Sequence, residues 1–351
     1  MVVAQKPHPA PTSKKNMWFG AGEASLVPYQ EAIERLSVLV PTYRRPADLE
    51  RCLTGVAAQA RPADQVVVVA REDDAATWEV LRAWQDRLPL RAVSVSEPGL
   101  VHALSAGLDA VTGDLVAITD DDAVPRPDWL ARIEEHFAAD PSVAGVGGRD
   151  WVHQGTPVEA GQRQVVGRVL WFGRVVGNHH VGMGPPRPVD VLKGVNCAYR
   201  TNAVRAVGFD RRLRGSGAQV HWEMALGLAV RSRGWQLLYD PAVSVDHYPA
   251  QRFDVDQRGE FHPQATFDAA HNLYWALAMC MRRGPHRELA LAWQRWIGTP
   301  GEPGRIRAWW ARLRGDAEAQ ARATAARDGR AAAARAARAQ RATRLAARPR
   351  S

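Results

Sequence analysis

The 351-residue sequence is poor in cysteine, with three residues, Cys52, Cys197 and Cys280, far apart in the chain. An odd count without paired spacing supports neither a disulfide framework nor a zinc knuckle, and it fits a reducing, cytoplasmic setting. Long apolar runs are also missing. The most apolar stretch, Leu273 to Met281, is too short to span a bilayer. The opening MVVAQKPHPAPTSKK lacks the apolar core of a secretory signal, and no internal repeat is visible. The body of the chain lacks net charge as well. The formal charge is +9, but residues 305–351 carry thirteen arginines against three acids, a net +10 that leaves −1 on everything before them. A nucleic-acid-binding domain would carry its charge on a folded face, so no nucleic-acid partner is expected.

What is present is an alternation. Leu36–Val40 reads as a buried strand, PTYRRP as a loop, and Leu49, Leu53 and Val56 as one apolar helix face. QVVVVA at 65–70 is a second strand. Asp73 and Asp74 can cap the helix that follows, which carries Trp78, Leu81 and Trp84. Arg91–Val95 is a third strand, followed by a helix marked by Leu100, Leu104, Leu108 and Val111. The fourth strand, Leu115–Thr119, runs straight into Asp120-Asp121-Asp122. Strands separated by helices need right-handed crossovers, hence an α/β fold with a largely parallel sheet. Ligands then sit at the carboxyl ends of the strands, here PTYRR, AREDD, SEPG and TDDDAVP. Further on, a strand is expected over 142–149 and a helix from Glu223 to Arg233. A strand, a turn at Asp240-Pro241 and a second strand ending at His247 should follow, then a helix over 262–283. Residues 151–190 show no clean period.

Three consecutive carboxylates repel one another unless a cation sits among them. At a strand end, Asp120, Asp121 and Asp122 suit an oxygen-preferring divalent ion, Mn²⁺ or Mg²⁺, that bridges a diphosphate. Glu223, at a helix start, suits a general base that deprotonates an acceptor hydroxyl; stabilisation by the helix dipole is the alternative. His247 completes a metal site only if it meets those carboxylates in space. Arg44 and Arg45 follow the first strand, where they can approach phosphates. The Asn196 segment suits a sugar or acceptor contact, or a side-chain cap. Trp151, Trp171, Trp222 and Trp235 suit carbohydrate stacking or core packing.

Together these segments resemble the family 2 glycosyltransferases, which have the GT-A fold. The resemblance spans roughly Leu36 to Pro249. It rests on five ordered segments: LSVLVPTYRR, QVVVVA with its acids, AGLDAVTGDLVAITDDDAVPRPDWL, LKGVNCAYRTNAVRAVGFD and HWEMALGLAVRSRGWQLLYDPAVSVDH. It implies a Rossmann-like, mostly parallel mixed sheet flanked by helices. A nucleotide-sugar-binding half would cover 36–150 and an acceptor-binding half 151–250, between an N-terminal extension (1–35), a helical extension (251–304) and a basic tail (305–351). It implies a nucleotide site at Pro41, Thr42, Tyr43, Arg45, Asp73, Asp120 and Asp121. Metal ligation would fall to Asp122 and His247, catalysis to Glu223, and sugar or acceptor contact to Asn196 and Trp222. It also implies a metal-dependent inverting transfer from a nucleotide sugar, UDP by default, to a hydroxyl acceptor of a glycan, lipid-linked sugar or natural product.

The chain departs from the family pattern at Arg71-Glu72-Asp73-Asp74, at Leu104-Ser105, and at Trp222, which stands where an acid usually precedes the base. The competing readings are a nucleotidyltransferase-like sugar-nucleotide enzyme, against which the glycine-free loop PTYRRP counts, and an inactive binding protein on the same fold. The Ala/Arg-rich tail is expected to be a solvated helix or a disordered appendage, separate from the chemistry and broken at Gly315 and Gly329. Peripheral contact with the inner face of the membrane, anchored by Trp309, Trp310, Leu313 and Leu345, is its alternative.

Overall fold

The computed structural model describes residues 35–153, 161–251, 253 and 261–346. The N-terminal extension expected over 1–35 lies outside these except for Arg35. The first half follows the predicted alternation: β1 (Leu36–Pro41), α1 (Pro46–Ala57), β2 (Gln65–Arg71), α2 (Ala75–Trp84), β3 (Leu90–Val95), α3 (Leu100–Ala110), β4 (Leu115–Thr119) and a short β5 (Ala123–Pro125). The sequence explains the choices. Valine runs favour strand over helix. Pro46 opens α1, and the Asp74 carboxylate accepts from the Thr77 N–H to cap α2.

After α4 (Trp129–Ala139) and β6 (Val143–Val152), the aperiodic stretch forms a small hairpin of β7 (Arg168–Val169) and β8 (Val175–Val176), then β9 (Arg187–Val189). Next come β10 (Asn196–Arg200), α5 (Thr201–Val207), α6 (Trp222–Ser232), β11 (Gln236–His247), α7 (Pro263–Cys280), α8 (Pro285–Trp296), α9 (Arg305–Leu313) and α10 (Ala317–Ala346).

The main sheet runs β3-β2-β1-β4-β10-β6-β11-β5, with β9 on β11. Its β3-β2-β1-β4 half is parallel, whereas β10 is antiparallel to both neighbours. The chain winds from β1 to β2 and β3 on one side and returns to β4 on the other. The carboxyl ends of β1 and β4 therefore flank the crevice where such sheets bind ligands. The two strands expected around Asp240-Pro241 are one continuous strand, β11, with a register shift between Asp240 and Ser244. Gly148 allows this bulge: a Cβ there would lie 1.7 Å from the Val243 carbonyl oxygen. One apolar cluster joins the sheet to α1, α2 and α4; another joins it to α3, α6 and α7.

The expectation of a detached tail does not hold. α10 is a 30-residue helix that packs along α7 and also against α9, burying Ala323, Ala326, Ala333 and Ala337. Gly329 is no break but a point of contact: a Cβ there would lie 2.2 Å from the Phe267 carbonyl oxygen. Arg330, also buried, donates to the Glu302 and Pro303 carbonyls, and Arg341 donates to the Ala278 carbonyl at 2.7 Å. A face of small side chains lets two helices approach closely, so alanine replaces bulk as the packing device. Gly315 does end α9, in a left-handed conformation.

Candidate active site

The loops after β1 and β4 are joined by side chains. Asp121 is buried. It accepts from the Thr42 hydroxyl at 2.8 Å and from the Arg45 guanidinium at 2.8 Å. Burial pushes its carboxyl up to about 7, against the pull of Arg45 and Thr42. Arg45 also lies 3.7 Å from Asp122 and donates to the Gln251 carbonyl. Three acids thus keep its guanidinium charged despite burial.

Asp120 lines the open cleft. Burial raises its pKa, and the charges of Asp122 and Glu223 add to that rise. Asp122 behaves oppositely. Burial alone would raise it, but His247 and a 2.9 Å bond from the Ala250 N–H hold it well below the usual carboxylate range.

β11 ends beside this group and presents His247. Its Nε2 faces Asp122 Oδ1 at 3.4 Å, and its Nδ1 faces Asp150 Oδ2 at 3.4 Å. Lys193 in turn holds the fully buried Asp150. Burial lowers the imidazole pKa, yet the two carboxylates outweigh it and lift it to about 9. Asp122 Oδ1 and His247 Nε2 form a mixed oxygen and nitrogen pair at the spacing of neighbouring ligands around one ion. The pair would suit a divalent ion once His247 gives up its proton, and its nitrogen would favour Mn²⁺ over the oxygen-preferring Mg²⁺. Among the described residues, no group of three or more His, Cys, Asp and Glu encloses a complete site.

The facing wall is the glycine-rich turn before α6. Ser216, Gly217 and Ala218 line the cleft opposite Pro41, Tyr43 and the aspartates. Gln219 ties this turn to α3, accepting from the Val101 N–H at 2.7 Å. Asn272 of α7 grips the Arg214 and Val220 carbonyls. His221, left-handed at φ 76°, is paired with the buried Glu302 at 3.1 Å. Glu302 is bonded to Thr299, and its loop is gripped by Arg330 of α10. Glu223 stands in the first turn of α6, half-buried, two residues past His221.

Pro41, Thr42, Tyr43, Arg45, Asp120, Asp121 and Asp122 therefore converge on one cleft, with His247 against Asp122. Asp73, Asn196 and Trp222 are not among the residues that line this cleft. Asp73 stays on the surface, half-exposed, paired with Arg44 and Arg71. Asn196 is fully buried. Its amide accepts from the Trp129 indole at 2.8 Å and donates to the Arg149 and Val243 carbonyls, which leaves nothing for a sugar. Trp222 is buried against Phe209 and Gly194.

The tryptophans do not form one stacking surface. Trp235 borders the core, Trp151 lies under the Arg149 guanidinium at 3.6 Å, and Trp171 is exposed. Leu104 is a core residue. Glu97 and Phe253 complete the cleft wall together with Arg71, which the sequence offered only as a departure from the family pattern. Arg71 and Glu97 belong to the strand-end loops AREDD and SEPG, where position, not acidity, was the usable signal. Arg71 lies 4.8 Å from the Tyr43 ring centre.

A family model described as glycosyltransferase-like family 2 matches residues 34–261. Among curated proteins, the chain is 31% identical over 126 residues to a chondroitin synthase from Escherichia coli, covering 35% of this chain and 18% of that one. It is 33% identical over 114 residues to an amylovoran biosynthesis glycosyltransferase from Erwinia amylovora, covering 30% and 42%. The matches thus span less than half of these relatives. Among solved structures, a mannosyltransferase from Pyrobaculum calidifontis in complex with GDP-Man and Mn²⁺ superposes with a TM-score of 0.51 at 22% identity, over 89% of this chain and 79% of that one. TarS of S. aureus (residues 1–349) in complex with UDP-GlcNAc gives 0.54 at 13% identity, over 74% and 71%. The fold is of the GT-A type.

Proposed function

Because this chain belongs to the glycosyltransferase-like family 2, we propose that it transfers a sugar, with inversion, from a nucleotide-sugar donor to a hydroxyl acceptor of a glycan, lipid-linked sugar or natural product. UDP is the default nucleotide. The observation that carries this reading is the convergence of Thr42, Arg45 and Asp120–Asp122 at the crevice between β1 and β4. Opposite them stands the turn that leads into Glu223. The solved relatives with bound GDP-Man and UDP-GlcNAc support a nucleotide-sugar donor.

In this reading the nucleoside lies over Pro41 and Tyr43, beside Arg71 and Glu97. Arg45 orders Asp121 and Asp122 and offers positive charge near the phosphates. Asp120 accepts hydrogen bonds from the donor's ribose or sugar. Asp122 and His247 would hold Mn²⁺ or Mg²⁺, which neutralises charge on the departing diphosphate. Glu223 removes the proton of the acceptor hydroxyl. The new bond forms between that oxygen and the anomeric carbon as the bond to the diphosphate oxygen breaks, its electron pair leaving with the diphosphate. No covalent enzyme intermediate is needed. Three thiols without disulfides accord with a cytoplasmic setting.

Donor hydrolysis and transfer over a panel of sugar nucleotides with Mn²⁺ test this reading. Glu223→Gln should lower turnover at least about 10²-fold while leaving the donor's thermal stabilisation of the protein intact. Normal transfer by that variant removes Glu223 as the base. No turnover of any donor by the wild type would leave a binding protein instead.

A further inference from the structure

α9 is built the wrong way round for a helix whose partners are all protein. Ile306, Trp309, Trp310 and Leu313, spaced i, i+3, i+4, i+7, are 46%, 55%, 49% and 60% exposed, while the residue buried beneath them is Ala311. At about 100° per residue, the four fall within about 100° of helix circumference. Arg307 and Arg314 lie on one side of this stripe and Arg305 and Arg312 on the other, about 90–110° from its centre. All four are exposed. Trp296, 51% exposed beneath the Arg305 guanidinium at 4.9 Å, adds a fifth apolar side chain at the border. No acid occurs between Glu302 and Asp316. Single exposed apolar residues are ordinary on a protein, but a contiguous stripe of four marks a contact surface.

We propose that this face of α9 seats the protein on an anionic lipid bilayer, with the Ile306–Trp309–Trp310–Leu313 stripe at the acyl boundary and the four flanking arginines on lipid phosphates. Charge and shape select this occupant. Indole rings favour the zone between headgroups and acyl chains, and arginines on both flanks can extend to phosphates while the stripe is immersed. A second copy of the chain fits poorly, because a two-fold contact through this stripe would bring the arginine rows of the two copies together. α10, by contrast, is packed against α7 and α9, burying its alanine face. The membrane-facing element is therefore α9 and not the Ala/Arg-rich helix behind it.

The test is co-sedimentation of the full chain with vesicles of phosphatidylcholine and phosphatidylglycerol (7:3), against phosphatidylcholine alone. It does not depend on the transferase reading, because it scores binding and not turnover. Wild type should partition at least about tenfold better onto the anionic vesicles, with a salt-sensitive affinity. Each arginine among the four changed to glutamine should cost roughly fivefold. Trp309→Ser/Trp310→Ser should lose binding while staying folded, with at most a few degrees lost in melting temperature, since both rings are about half exposed. The proposal is overturned if wild type stays in the supernatant with both vesicle types, if the tryptophan variant pellets like wild type, or if neutral vesicles bind equally well. It is also overturned if the wild type sediments as a dimer that the tryptophan variant dissolves and no vesicle binds.

Discussion

Glu302→Gln is the sharpest probe of how the C-terminal helices support the turn that leads into Glu223, the proposed base. Glu302 is buried, and its partner His221 is 22% exposed at 3.1 Å. At an effective dielectric of about 20, a pair at that distance attracts by about 5 kcal/mol before desolvation is subtracted. Breaking a fully buried pair costs about 3–5 kcal/mol. His221 is partly wet, and glutamine keeps an acceptor for Thr299, so a loss of about 2 kcal/mol is expected, a few degrees in Tm.

The pH dependence identifies the cause. Burial lowers the His221 pKa, but Glu302 outweighs it and, with help from Glu223, lifts the imidazole above 6.5. The stabilisation from His221 is therefore full below pH 6.5 and fades as pH climbs through the raised value. Burial raises the Glu302 pKa, but His221, Thr299 and Arg330 hold it below 4.5. The stabilisation from Glu302 is thus present above pH 4.5 and fades as pH falls through the depressed value. The Tm gap between wild type and Glu302→Gln should accordingly be widest between pH 4.5 and 6.5 and narrow on both sides.

The same pair holds His221 in a left-handed conformation that costs about 1 kcal/mol or more, directly before the helix that carries Glu223. Loosening it should lower kcat by about tenfold and leave donor affinity unchanged, because the residues proposed to hold the donor sit on the loops after β1 and β4. A Tm gap that is flat from pH 4 to 9 would refute the ion-pair account. A Tm loss with unchanged kcat would confine the pair to stability.

Two further outcomes follow from the packing. Removing residues 316–351 strips α7 of one of the helices packed on it and frees the loop around Glu302. The truncated chain should show a lower melting temperature and lose transfer activity; full activity at wild-type Tm would show α10 to be dispensable. Asn196→Ala removes three buried hydrogen bonds, which should cost about 3 kcal/mol of stability by denaturant melts. It should leave the acceptor KM unaltered, and a selective rise in that KM would restore Asn196 to the binding site.

The legible parts of the sequence were those where one side-chain property sets one structural outcome. The valine runs became strands. The aspartates following β4 had to sit at the crevice, because a parallel sheet places strand ends there. Position along a motif does not reveal which way a side chain turns, and this is where Asn196 misled. β10 is paired on both sides and buried along its whole length, so its amide met backbone carbonyls, not solvent. Trp222 fell the same way, into the core, one residue before Glu223. Asp73 and Asp74 read alike, yet only Asp74 turned inward, to cap α2.

The C-terminal region shows why size is a poor guide on its own. Sought by its bulky residues, α10 has no inward face and α9 has a good one. Packing ranks them the other way, since alanine and glycine permit the closest helix contact and tryptophan prevents it. The small-residue helix therefore closed over α7 and reached the base of the Glu223 turn through Arg330 and Glu302. The bulky stripe of α9 was left outside among arginines, a surface that only something apolar and anionic would cover.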